Sequence, residues 1–165
     1  MVHARSHRYQ RGFSLVEVLV ACSIICVATF SLLAAAQKGV ELSHRALLQA
    51  QANLLLEEGA EATRTIRDNG WSNISNLTNG TTYYLSYNTS TNAWSLSTTA
   101  STIDSIFTRT IVVSAVNRDS SDDIVTSGGT TDTHTKKVTV TVSYSGGTAG
   151  TVSKTLTLYL ADIFS

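Results

Sequence analysis

The stretch Gly12-Phe13-Ser14-Leu15-Val16-Glu17-Val18-Leu19-Val20-Ala21 decides the reading of this chain. A glycine closes a short basic leader, and an apolar run starts at the next residue. One carboxylate, Glu17, stands inside that run, where hydrocarbon is the expected solvent. A charge at the centre of a membrane helix costs about 2.5–3.5 kcal/mol on insertion scales, so such a residue calls for a partner and a role.

Working outward, residues 1–12 are polar and basic, with Arg5, Arg8 and Arg11 and no acid. Basic residues ahead of an apolar segment favour retention in the cytoplasm. In residues 13–36 the only ionisable side chains besides the two cysteines are those of Glu17. At about 1.5 Å per residue this helix measures about 36 Å, enough to span a hydrocarbon core of about 30 Å. Two other cleavage readings compete. Leu19-Val20-Ala21-Cys22 fits a lipoprotein box, but the chain stays apolar after Cys22, where a lipoprotein turns polar. Ala34-Ala35-Ala36 fits the small-residue rule of a secretory signal peptidase, but the segment before it is long and carries a glutamate.

The glycine, the aromatic residue and the glutamate at this spacing resemble the processing and methylation signal of the type IV pilin superfamily. That family includes pilus subunits and type II secretion pseudopilins. The resemblance implies cleavage after Gly12 by a prepilin peptidase and methylation of Phe13. It also implies an assembly contact between Glu17 and the N-terminal amine of a neighbouring subunit. The partners it implies are other pilin or pseudopilin subunits and an inner-membrane assembly platform. The chain would start as a single-pass protein of the bacterial cytoplasmic membrane with its N-terminus in the cytoplasm, and end in a surface or periplasmic filament. Leu15 to Ala21 look more like the minor pilins and minor pseudopilins than like major subunits. Many major pilins have a proline where this chain has Ala34, and this chain has no proline at all.

From Gln37 the apolar pattern turns periodic. Val40, Leu47 and Leu54 repeat every seven residues, as do Leu48, Leu55 and Ala62, with Ile66 one turn on. This is the stripe of an amphipathic helix over residues 37–67. No proline interrupts Phe13–Arg67, so one helix is expected from membrane span to stripe, ending at the turn signal Asp68-Asn69-Gly70. Trp71, Ile74 and Leu77 are expected to anchor the loop that follows. Asn-x-Ser/Thr triplets begin at Asn73, Asn76, Asn79 and Asn88; in a chain this rich in Ser and Thr they read as turn composition.

Residues 68–165 then read as strands. Thr81–Asn88 and Ala93–Thr98 form an expected hairpin. Phe107–Val116 follows, with Val112-Val113 expected to be buried. Lys136–Tyr144 and Thr151–Leu160 alternate apolar and polar residues. The expected fold is α+β: a long N-terminal helix packed on an antiparallel β-meander, with the stripe from Val40 to Ile66 as its cover.

Composition narrows the function. Removing the leader takes three arginines from twelve basic residues, leaving nine Lys and Arg against twelve Asp and Glu. That mildly acidic balance gives no support to nucleic-acid binding, and so does not favour a DNA-uptake pilin within the superfamily. Cys22 and Cys26 lie in the apolar run, so the strand region has no disulfide to rely on. Their spacing puts both thiols on one helical face, where they read as packing residues. No His, Ser or Cys sits in a catalytic constellation, and no metal-ligand spacing is present. The chain reads as no enzyme, with no cofactor. One weak calcium candidate is the loop Arg118–Thr133, with Asp119, Asp122, Asp123 and Asp132 beside Gly128-Gly129, against the reading of a solvated acidic loop. The reading as a whole is a minor structural subunit of a pilus or pseudopilus. The alternative is a membrane-anchored or secreted β-domain that binds a surface ligand without polymerising.

Overall fold

A computed structural model of the protein describes Gly12, residues 14–147 and residues 150–163. The leader up to Arg11 and the methylation candidate Phe13 lie outside the described residues. The chain divides into two compact units, one ending at His44 and the other beginning at Arg45. Helix α1, Leu15–Asp68, contributes to each.

In the first unit residues 15–36 of α1 are exposed and, apart from Glu17 and three hydroxyls, apolar. Those three hydroxyls are satisfied by the helix's own backbone: Ser23 donates to the Val20 carbonyl at 2.8 Å, Thr29 to Ile25 at 2.7 Å and Ser31 to Val27 at 2.8 Å. A segment that hides its polar groups in this way suits a solvent that offers no hydrogen bonds. The helix is long and apolar enough to cross a membrane, and its most apolar window is wholly unburied within the structure.

In the second unit the rest of α1 lies against an antiparallel sheet. Six strands are described: β1 Thr82–Asn88, β2 Ala93–Ser97, β3 Phe107–Arg118, β4 Ile124–Val125, β5 Thr130–Ser145 and β6 Thr151–Ala161. A four-residue helix, α2 Ser72–Ser75, interrupts the expected loop, with Ile74 fully buried and Trp71 and Leu77 packed beside it. Alternation along β5 sends Val138, Val140 and Val142 wholly into the core. Their partners across β3 include Ile111 and Val113, also at 0% exposure. Each such side chain contributes about 1.5–3 kcal/mol by leaving water. Of the Val112-Val113 pair only Val113 is buried; the strand's two-residue period turns Val112 to the other face.

The α+β class and the antiparallel sheet are as expected, but the strand order departs from a plain meander. The order is β2-β1-β3-β5-β6, with β4 beside β3. Strand β3 returns past the hairpin to pair with β1, through Thr82↔Val112 and Tyr83↔Ile111. This places Tyr83 and Leu85, each 8% exposed, over the helix-covered core. The expected acidic loop is also more ordered than the sequence suggested: it contains β4 and the start of β5.

The helical stripe needs a second correction. Leu48, Ala52, Leu56, Gly59, Thr63 and Ile66 are the residues turned toward the sheet, at the 3.6-residue period of a straight helix. Val40, Leu47 and Leu54 are 73%, 56% and 65% exposed and do not cover it. They lie on a different line of the helix surface, whereas Leu48, Ala62 and Ile66 of the other expected line are buried against the sheet, with Leu55 partly so.

Candidate processing and assembly site

Ser14 precedes α1, and its carbonyl accepts from the amides of Glu17 at 3.0 Å and Val18 at 3.2 Å. Glu17 therefore lies in the first helical turn, where the positive end of the helix dipole favours a carboxylate. Ser14-Leu15-Val16-Glu17 also has the spacing of a capping box, a local signal for a helix start that the apolar run obscures in the sequence. Gly12 and Glu17 are both exposed. A glycine thus stands just outside the helix, and a carboxylate just inside it, ahead of an apolar stretch of membrane-spanning length.

Residues 7–33 match the family described as the prokaryotic N-terminal methylation motif. The match supports a type IV pilin-like prepilin, and the matched segment contains Gly12, Phe13 and Glu17 together with both cysteines. A structural subunit that is cut by a prepilin peptidase and assembles with other pilin-type subunits follows from that motif, and the apolar helix near the N-terminus fits its membrane anchor. No curated protein and no solved structure matches the chain.

The four aspartates considered for calcium are not brought together as a ligand set. Among the described residues no three His, Cys, Asp or Glu side chains converge to hold a metal ion. Arg118 takes the place a cation would have: its Nε donates to Asp132 Oδ2 at 2.7 Å and its Nη1 to the Asp122 carbonyl at 2.8 Å. Hydrogen bonds from Thr135 and Arg118 hold the Asp132 carboxyl down to about 2. Asp119 is turned into its own loop, accepting from the amides of Ser121 at 2.8 Å and Asp123 at 3.0 Å. The loop is closed by internal hydrogen bonds around one guanidinium.

Arg109 was not visible in the sequence reading. It is 5% exposed, on the core face of β3 between Phe107 and Ile111. Its guanidinium donates to the Leu55 carbonyl at 3.1 Å, pairs with Glu58 at 3.1 Å and lies 5.7 Å from the Trp94 ring centre. Gly59 makes room for it: a Cβ there would meet Val140 Cγ1 at 2.8 Å and Arg109 Cδ at 3.0 Å. The available signal was a basic residue in phase with an apolar row.

Proposed function

We propose that the chain is a minor subunit of a type IV pilus or of a type II secretion pseudopilus. The observation that carries this reading is the methylation motif over residues 7–33, set on a helix whose apolar span holds one carboxylate in its first turn. The leader is cut after Gly12, and the new terminal amine at Phe13 is methylated. The helix then leaves the bilayer for a growing filament at an inner-membrane assembly platform. There Glu17 pairs with a neighbour's terminal amine in a low-dielectric core, where an ion pair fixes register because breaking it is costly. The N-terminus faces the cytoplasm and the strand-bearing unit lies on the far side. A minor role is supported by the residues Leu15–Ala21 and by Ala34 in place of a proline.

Mass spectrometry of the mature N-terminus from native membranes tests this. The expected chain begins at methylated Phe13. A chain that begins at Gln37 or at lipidated Cys22, or that still carries Met1, would overturn it in favour of an anchored or secreted β-domain.

A further inference from the structure

Strand β6 ends the sheet and pairs with β5 from Thr135↔Ala161 to Ser145↔Thr151 without a shift in register. Among the described residues no strand lies along its other side. Asp162 donates its amide to the His134 carbonyl at 2.8 Å, so the even-numbered residues of β6 direct their backbone groups to β5. Thr155, Thr157, Tyr159 and Ala161 therefore direct theirs outward. Such an edge is a template for another strand, and proteins commonly guard it by shortening it, bulging it or placing proline on it. β2, at the far end of the sheet, is five residues long; β6 has eleven, with no bulge and no proline. Leu156 and Tyr159 are exposed along it, one on each face.

The charges on this edge point to its partner. Lys154 lies on the helix-side face, opposite Val142, and the two-residue period puts Leu156, Leu158, Leu160 and Asp162 on that face as well. A lone inward lysine guards an edge when nothing opposite can neutralise it. Here the same edge carries the counter-charge eight residues on, in Asp162, whose Oδ2 lies 3.7 Å from His134 Nδ1. A carboxylate has acceptor sites for more than one cation. In a two-fold antiparallel pair of β6 edges, registers centred on Leu156 or Thr157 set Lys154 against Leu158 or Leu160. The register centred on Leu158 sets Lys154 of each copy against Asp162 of the other, and Leu156 against Leu160. It also faces Thr157 with Tyr159 and Thr155 with Ala161, whose backbone groups point outward as ladder bonds require. The edge is thus complementary to itself in charge and in backbone pattern, which makes a second copy of the chain the fitting partner.

We propose that two copies join edge to edge through β6, antiparallel and centred on Leu158, so that one sheet runs through both. A two-fold contact closes on itself, so it links two subunits and no more. It lies wholly within the strand region and is separate from the contact of Glu17 with a terminal amine.

Cross-linking of the full chain in detergent tests the register. In a Cys22→Ser/Cys26→Ser background, Leu158→Cys is oxidised with copper phenanthroline and run on a non-reducing gel. A disulfide-linked dimer is expected, because Leu158 meets its own copy at a non-hydrogen-bonded site, where side chains are closest. Leu156→Cys should give little, since its two copies stand about 13 Å apart along the strands. In the Leu158→Cys chain, Lys154→Asp should abolish the dimer, and adding Asp162→Lys should restore it. Lys154→Thr should weaken the dimer, and it decides the matter should the reversed pair not fold. No dimer from Leu158→Cys, or equal linkage through Leu156→Cys, would overturn the pairing. So would a stronger dimer from Lys154→Thr, the result of a lysine that guards the edge. None of these outcomes touches the N-terminal mass, so a failure here is distinguishable from a failure of the prepilin reading.

Discussion

Gly59 and Arg109 show how one missing methyl group positions a helix. The guanidinium reaches the Leu55 carbonyl and Glu58 only because α1 has no side chain at position 59 to displace it. Gly59→Ala forces Val140 and Arg109 aside, an overpacking that costs about 1–3 kcal/mol. Chemical denaturation of the detergent-solubilised protein should show that loss, and an unchanged midpoint would mean that the close approach is not as drawn. Asp132 offers a second residue-scale test. Its carboxyl is held at about 2, below the ordinary 3.8, by Thr135 and Arg118. A depressed acid stabilises the fold fully above its unfolded value, and that contribution is lost as pH falls from about 3.8 through 2. Melting at pH 7, 4 and 2 should therefore show the wild type losing its advantage over Asp132→Asn between pH 4 and 2. A constant difference across that range would refute the assignment.

At the scale of elements, the turn into β3 is held against backbone preference. Asp104 and Ser105 both adopt positive φ, 51° and 57°, while the Ile106 amide donates to the Ile103 carbonyl at 3.0 Å. A left-handed backbone costs an L-residue about 1–2 kcal/mol, and glycine escapes that cost. Ser105→Gly should therefore stabilise the protein by about 1 kcal/mol, read as a rise in the denaturation midpoint. A fall would show that this turn is not under strain. The same turn explains part of what the sequence concealed. Asp104-Ser105 lacks the glycine that marks a tight hairpin, so nothing announced that β3 folds back past β2 to reach β1. By contrast β5 was plain, because Val138, Val140 and Val142 alternate with threonines on a strand buried on one face. Two-residue β4 could not be read at all, since Ile124-Val125 sits in an acidic run too short to show a period. The helix was legible in extent, because nothing interrupts it, but not in orientation. Two apolar lines run along it, and only packing distinguishes Leu48 and Ile66 from Leu47 and Leu54. The methylation motif was legible because its spacing is local, whereas Arg109 depends on contacts more than fifty residues apart.

At the scale of the whole molecule, Glu17 has two duties, one in the helix and one in the proposed filament. In the first turn of α1 it favours the helix start, by about 0.3–1 kcal/mol through the dipole. In the proposed filament it neutralises a neighbour's terminal amine, and breaking a buried pair costs about 3–5 kcal/mol, more than a hundredfold in an assembly equilibrium. Glu17→Ala should leave membrane insertion intact, because removing a charge from an apolar segment eases entry into the bilayer. Incorporation into filaments should nevertheless collapse. Glu17→Asp separates the two duties. It keeps a carboxylate in the first turn, which satisfies the helix start, but draws it back by one methylene from the neighbour. Assembly should therefore fall with aspartate as well as with alanine, while carbonate-resistant membrane association stays at the wild-type level for both. Counting subunits in purified filaments beside the membrane-bound pool measures both quantities at once. Wild-type incorporation of the alanine variant would remove the ion pair from the mechanism and leave Glu17 only its place at the helix start.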